Sequence, residues 1–282
     1  MKHIVLKDGK VKEFDRMEMM GIINVTPNSF FEGSRTYNHD DAVKRADRLI
    51  EEGATFIDVG GESTRPGSEP VEIEEEIQRV CPVIKEIKKR HPEVLISVDT
   101  YNSKTAREAV KSGADIINDI SGLTFDKDMV KVVAEEKVPV IIMHIKGKPK
   151  TMQQNPHYDN VVEEVYEFLE RQINYAVENG VSRDKIIIDL GIGFGKNFDH
   201  NIELLRNISY FDKLELPHLL AVSRKRFIGS VLNEDDAKDR LYGTIAITLF
   251  AQSKGIEMAR VHDVKENYQA VKMMEELLWK HL

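Results

Sequence analysis

The chain has 282 residues, of which 41% are apolar and 31% charged, and 48 acidic against 40 basic side chains give a net charge of −8. This composition is typical of a globular protein, so it excludes disordered, collagen-like and coiled-coil chains, and the negative charge argues against binding to nucleic acid. No run approaches the roughly 20 apolar residues of a membrane span, the N-terminal segment has no signal-peptide core, and Cys81 is a lone cysteine, so we expect no membrane contact and a reducing, cytoplasmic location.

Short apolar segments recur along the chain and read as strands. Most are too short for a helix, and they do not alternate between apolar and polar residues. Continuous apolar runs are typical of strands that are buried on both faces, as in a parallel sheet. The eight segments cover residues 19–25, 55–60, 94–99, 115–120, 138–144, 185–191, 218–223 and 258–263.

Charged segments with helical periodicity follow these strands. In 159–178, for example, apolar residues fall at every fourth position. The predicted helices cover residues 40–52, 74–90, 103–112, 126–136, 159–178, 199–208, 239–253 and 265–280. Eight strand–helix pairs predict a single-domain (β/α)8 barrel over residues 17–282, with a doubly wound open sheet as the alternative. The first 16 residues predict an added β-hairpin that turns at Asp8 and Gly9.

Polar side chains occur at the carboxyl end of every predicted strand, which is where barrel enzymes place their chemistry. A single buried Asp or Asn could equally cap a helix or support a loop. Their recurrence at one end favours a shared site, because unpaired buried charges cost several kcal/mol. The sequence contains no Walker A motif, no nucleophile elbow and no zinc-ligand spacing.

The motifs at these strand ends resemble those of the dihydropteroate synthases, folate-pathway enzymes that bind a pterin in a TIM barrel. In chain order they are MGIINVTPNSF (20–30), IDVGGESTRPG (57–67), SVDTYNSKTA (97–106), INDISG (117–122), IIMHIKGKPKTMQ (141–153), IDLGIGFGKN (188–197), SRKRFIG (223–229), YGT (242–244) and RVHDV (260–264). The resemblance implies a homodimer that joins 6-hydroxymethyl-7,8-dihydropterin diphosphate to 4-aminobenzoate and releases diphosphate.

The resemblance also implies a pterin pocket. A pterin edge presents two adjacent donors, which a carboxylate accepts in a bidentate, charge-assisted contact. Asp99 and Asp189 match the carboxylates in this role, with Asn118 beside them. Lys225 would donate to the acceptor side of the pterin, and Met143 and Phe194 would form apolar walls. Asp99, Asp189 and Lys225 are therefore the expected catalytic residues, the two carboxylates stabilising positive charge on the pterin methylene carbon.

The remaining expected contacts concern diphosphate and aminobenzoate. Arg260 and His262, at outward positions on the last strand, are expected to clamp the diphosphate, with Thr64 beside them. Asn24 would hold a Mg²⁺ bound to the diphosphate. The residues expected around aminobenzoate are Phe30, Thr64, Arg65, Pro66 and Arg226.

Some positions depart from the family pattern, and they fall on the loop after the first barrel strand, which is expected to act as a lid, and on the aminobenzoate side. They are Asn28, Glu32, Leu190 and Arg226. Pterin binding is therefore better supported than the complete reaction. This leaves as alternatives a pterin-binding paralogue without synthase activity and a folate–corrinoid methyltransferase, although the latter enzymes lack the GGESTRPG loop. A nucleotide-binding oxidoreductase on an open sheet is a more distant alternative.

Overall fold

The computed structural model describes residues 2–26, 39–63 and 67–279 of the chain. At the N-terminus, β1 (His3–Val5) and β2 (Val11–Glu13) pair antiparallel. The turn between them has Gly9 at φ +85°, and Asp8 Oδ1 accepts a hydrogen bond from the Lys10 backbone nitrogen at 3.0 Å. A positive φ is readily adopted by glycine, so the predicted hairpin turn is confirmed.

Eight parallel strands follow and close into a barrel. They are β3 (Glu18–Asn24), β4 (Phe56–Gly60), β5 (Leu95–Asp99), β6 (Ile116–Asp119), β7 (Val140–Met143), β8 (Ile186–Asp189), β9 (His218–Leu220) and β10 (Met258–Val261). The last strand pairs with both β9 and β3, so the sheet has no free edge. The predicted (β/α)8 barrel is therefore confirmed, and the open-sheet alternative is wrong.

Helices surround the barrel and connect its strands. Those in the described residues are α1 (His39–Glu51), α2 (Ile73–Arg90), α3 (Ser103–Ser112), α4 (Met129–Glu136), α5 (Val161–Glu178), α6 (Phe198–Arg206), α7 (Arg226–Leu232), α8 (Leu241–Ser253) and α9 (Val264–Trp279). Each predicted helix overlaps one of these. The short α7 was not predicted, and it begins directly after Lys225, its N-cap. No helix in the described ranges has the length and hydropathy to cross a bilayer.

The amino-terminal end of the barrel is filled with apolar side chains. Ile4 and Phe14 of the hairpin pack there, and the Phe14 ring stacks on Phe56 with 6.3 Å between ring centroids. The barrel strands supply the rest of this lower layer: Met20, Phe56, Ile116, Ile141, Ile187, Leu219 and Met258. Lys185, which precedes β8, connects the hairpin to the barrel: its Nζ donates a hydrogen bond to the Val5 carbonyl at 2.7 Å. Polar residues inside the barrel are thereby concentrated toward its opposite end.

Candidate active site

Strand register places the expected pterin residues on the inner wall of the barrel. Side chains two residues apart face the same side of a strand. Asn118 therefore lies above Ile116, and Asp189 above Ile187, both of which belong to the apolar lower layer. Asp99 is in register with Asn118, and Met143 is in register with Asp189. These four residues consequently line the carboxyl end of the barrel interior.

Arg260 lies at the centre of this wall. Its Nε donates to Asp58 Oδ2 at 2.5 Å, and its Nη2 donates to Asp99 Oδ2 at 2.8 Å. The prediction that Arg260 faces outward is therefore wrong. Arg260 lies two residues beyond Met258 of the interior layer, so both side chains face the inside of the barrel. Its inward position also supplies the counter-charge that two buried carboxylates require.

Asp58 is a site residue that the sequence did not assign to any role. Its side chain is fully buried. Besides the Arg260 contact, it accepts a hydrogen bond from Asn118 Nδ2 at 3.3 Å. Because Nδ2 bonds to Asp58, Oδ1 is the amide atom that Asn118 can offer to a ligand. The sequence did contain a sign of this position. Asp58 lies two residues after Phe56 on β4, so both side chains face the same side of the strand, and a charged residue is thereby placed inside the barrel.

Asp99 is a buried carboxylate with one unused acceptor. Burial raises its pKa to about 7, and the carboxylates of Asp58 and Glu76 add to this, while Arg260 opposes it. Its Oδ1 has no hydrogen-bond partner among the described residues. A buried acceptor without a partner costs about 1–3 kcal/mol, so this oxygen is suited to a ligand donor.

Asp189 and Lys225 form a second charged group near Arg260 and Asp99, and these four residues define the pocket. Asp189 Oδ1 accepts a hydrogen bond from the Gly191 nitrogen at 2.7 Å. Burial raises the pKa of Asp189, and the Lys225 charge opposes the rise. Burial also lowers the pKa of Lys225 to about 8, against the opposing effect of Asp189. The Lys225 amine donates to the Ile192 carbonyl and lies 4.6 Å from the Phe194 ring centroid.

The two expected apolar walls occur in one cluster. Met143 is buried in it and Phe194 packs against it. The other members are Ile120, Ile145 and Met152, with Tyr101 and Phe125 partly buried at the edge. The pocket therefore joins charged groups to an apolar surface, the combination that a flat, polar heterocycle requires.

Of the residues expected around the diphosphate, Asn24 and His262 lie at the outer rim, whereas Arg260 lies on the inner wall. Asn24 ends β3 in register with Gly60, and its side chain is exposed. His262 follows β10, and its Nδ1 is 2.9 Å from Ser223 Oγ. Both residues therefore lie at the carboxyl end of the barrel. Thr64, expected beside them, lies outside the described residues.

The aminobenzoate side is represented by one described residue. Phe30, Arg65 and Pro66 lie outside the described ranges. Arg226 begins α7, and its side chain is exposed. Within the described part of the chain, its guanidinium makes neither a hydrogen bond nor an ion pair. It is therefore available at the rim, close in sequence to Lys225 of the pocket.

Comparison with known proteins gives consistent matches. Residues 20–262 match the family described as pterin binding enzyme. The dihydropteroate synthase of Escherichia coli strain K12 is 44% identical over 270 residues, covering 96% of this chain and 95% of the relative. The structure of Xanthomonas albilineans dihydropteroate synthase with 4-aminobenzoic acid has a TM-score of 0.91 at 38% identity and covers 98% of both chains. The enzyme from the same organism in complex with 7,8-dihydropteroate has a TM-score of 0.88 at 35% identity, covering 98% of this chain and 99% of the other.

Proposed function

Because the chain belongs to the pterin-binding enzyme family and, within it, to the dihydropteroate synthases, we propose that it condenses 6-hydroxymethyl-7,8-dihydropterin diphosphate with 4-aminobenzoate. The products are 7,8-dihydropteroate and diphosphate. The observation that carries the proposal is that Asp99, Asn118 and Asp189 lie buried on the inner wall at the carboxyl end of the barrel. Their unused acceptor oxygens match the donor edge of a pterin.

Pterin recognition follows from the groups that the protein leaves unsatisfied. Asp189 uses Oδ1 for the Gly191 nitrogen, and no described group donates to its Oδ2. Asp99 has a buried Oδ1 without a partner. We assign the donor edge of the pterin to these carboxylates and to Asn118 Oδ1. The Lys225 ammonium then donates to the acceptor side of the ring.

The charge of the pocket suits the bond that must break. Departure of diphosphate leaves positive charge on the methylene carbon of the dihydropterin. When all are ionised, the carboxylates of Asp58, Asp99 and Asp189 exceed the charges of Arg260 and Lys225 by one. A fixed negative excess in a water-poor pocket stabilises developing cationic charge. The attacking amine of aminobenzoate is neutral at pH 7, so no strong base is needed to activate it.

We propose that Mg²⁺ accompanies the diphosphate. Magnesium binds oxygen ligands and commonly takes few from protein when phosphate oxygens and water supply the others. Asn24 presents an exposed amide at the strand end. The described ranges contain no group of three or more His, Cys, Asp or Glu side chains that could hold a metal. Asn24 would therefore supply one oxygen, and the ion would offset the negative charge of the leaving group.

We also propose a homodimer, formed through α7 and α8. On α8 the polar residues Thr248 and Gln252 face inward, where they bond to Asn267 and the Val271 carbonyl. Tyr242 and Phe250 face outward, 81% and 39% exposed. An apolar outer face on a helix with a polar inner face suits burial against a second copy of the chain. Equilibrium sedimentation of wild type and Tyr242→Glu tests this, since the variant should shift toward monomer.

The decisive assay follows diphosphate release with both substrates and Mg²⁺. Release that requires both substrates, and stops on chelation until Mg²⁺ is restored, supports the proposal. Pterin binding without release would instead identify a non-catalytic paralogue. We further propose a cytoplasmic location, supported by the single free Cys81.

A further inference from the structure

Lys196 is a buried lysine outside the pocket that the reaction does not directly use. Its side chain is 2% exposed. Its Nζ donates to the Gly191 carbonyl at 2.8 Å and to the Phe194 carbonyl at 3.0 Å. It also lies 2.8 Å from His144 Nδ1. Burying an amine is costly unless its hydrogen bonds are satisfied, so this arrangement requires an explanation.

These contacts join two segments of the barrel rim. His144 directly follows β7, whereas Gly191 and Phe194 lie on the loop after β8. The two segments approach so closely that a Cβ at Gly191 would overlap the His144 carbonyl oxygen, and one at Gly195 would overlap that of Lys146. Leu190 and Ile192 pack this loop into the core, and Lys196 adds the polar link that joins it to His144.

The anchored loop, residues 190–197, supplies three contacts of the proposed pterin pocket. The Gly191 nitrogen holds Asp189 Oδ1, and the Ile192 carbonyl holds the Lys225 amine. Phe194 forms part of the apolar wall and lies beneath the same amine. Gly191 and Phe194 are thus bonded to Lys196 through their carbonyls while they contact the pocket through other atoms.

We propose that Lys196 and His144 are positioning residues for pterin recognition: together they hold the 190–197 loop so that Asp189, Lys225 and Phe194 keep their geometry. The inference rests on the proposed function, since it concerns the same pocket. Both carbonyls accept an N–H from the amine in either of its protonation states. Burial lowers the pKa of both Lys196 and His144 well below their ordinary values, consistent with a site from which water is excluded.

The test compares three single variants, and the double variant Lys196→Met/His144→Phe, with the wild type. Lys196→Met keeps the length of the side chain and removes its donors. His144→Phe keeps a ring that packs edge-on against Phe168, 4.8 Å away between centroids, and removes Nδ1. Lys146→Met is the matched control, because this exposed lysine bonds through its amine to Glu164 and to the His157 carbonyl.

The readouts are the Kd of 6-hydroxymethylpterin by calorimetry, the KM of each substrate, kcat and the Tm. We expect Lys196→Met to weaken pterin binding at least tenfold and His144→Phe threefold or more, while the KM of aminobenzoate changes less than twofold. The pterin affinity of the double variant should fall by less than the product of the two single fold-changes, because both substitutions break the same contact between Lys196 and His144. Lys146→Met should bind the pterin as the wild type does.

A pterin Kd within twofold of wild type in Lys196→Met overturns the inference, even if the Tm falls, because the lysine is then a structural anchor only. If Lys196→Met does not fold, His144→Phe decides by the same comparison, and an unchanged pterin Kd there also overturns the inference. A wild-type protein that binds no pterin would instead refute the proposed function. The two failures are thereby distinguished.

Discussion

Replacing Arg260 by methionine should destabilise the protein in a pH-dependent way. The arginine is the ion-pair partner of both Asp58 and Asp99, which are 0% and 8% exposed. Removing one partner of a buried ion pair costs about 3–5 kcal/mol, because a charge is left without compensation. We therefore expect a loss of this size in the free energy of unfolding at pH 8, above the pKa of Asp99 in the wild type.

The loss should shrink as the pH falls. In the wild type the pKa of Asp99 is raised to about 7, and Arg260 opposes that rise, so the pKa is higher still in the variant. A carboxyl whose folded pKa lies above its unfolded value gains stability as the pH falls through the folded pKa. Asp99 of the variant is protonated in the folded state over most of the range from pH 8 to 6, so the variant gains stability over most of that range. Asp99 of the wild type is protonated only below about pH 7, so the wild type gains stability over about half of it. At about 1.4 kcal/mol per pH unit, the deficit should narrow by about 1 kcal/mol.

Urea unfolding at pH 8 and pH 6 measures both quantities. Arg107→Met is the control, because Arg107 pairs with Glu135 and Glu136 at the surface, where such pairs are worth about 0–1 kcal/mol. A deficit below 1 kcal/mol in Arg260→Met, or one that widens toward pH 6, would refute the argument that this arginine compensates buried charge.

Three further outcomes are expected at the pocket and its rim. Asp189→Asn should abolish useful pterin binding in calorimetry while the Tm stays close to that of the wild type, because an amide places a donor where an acceptor is needed; an unchanged Kd would contradict the assigned role. Pterin affinity should fall as the pH rises through about 8, since the ammonium of Lys225 is then lost, and this alkaline decrease should be missing in Lys225→Gln. Arg226→Ser should raise the KM of aminobenzoate about fivefold, equivalent to ~1 kcal/mol, and less at high salt, whereas an unaltered KM at low salt would assign Arg226 to the surface alone.

The strands and most helices could be predicted because their patterns are local. A run of β-branched residues or a four-residue period is readable within one segment. The exception, α7, is seven residues long and follows a strand-end motif directly, and its buried residues Phe227, Ile228 and Gly229 are consecutive. Such a short helix has no readable period. It forms through tertiary packing, which a single segment does not reveal.

The site was predictable where residues act through their place on a strand. Asp99, Asn118 and Asp189 occur at strand ends, and the barrel brings those ends together. Arg260 was misplaced because its partner Asp58 is 202 positions away in sequence. Lys196 was passed over because its burial depends on His144, 52 positions away, and nothing in its own glycine-rich segment shows that contact.

The hairpin at the amino-terminal end has a kinetic consequence at the other end. Ile4 and Phe14 complete the apolar layer that, within the described residues, fills the amino-terminal end of the barrel. Substrates and products must all use the opening at the carboxyl ends of the strands. On the proposed function, pterin binds at the inner wall and aminobenzoate at the rim beside Arg226. We therefore expect the pterin to bind before aminobenzoate and the product to leave before the next pterin binds. Dihydropteroate should consequently compete with the pterin diphosphate for the free enzyme.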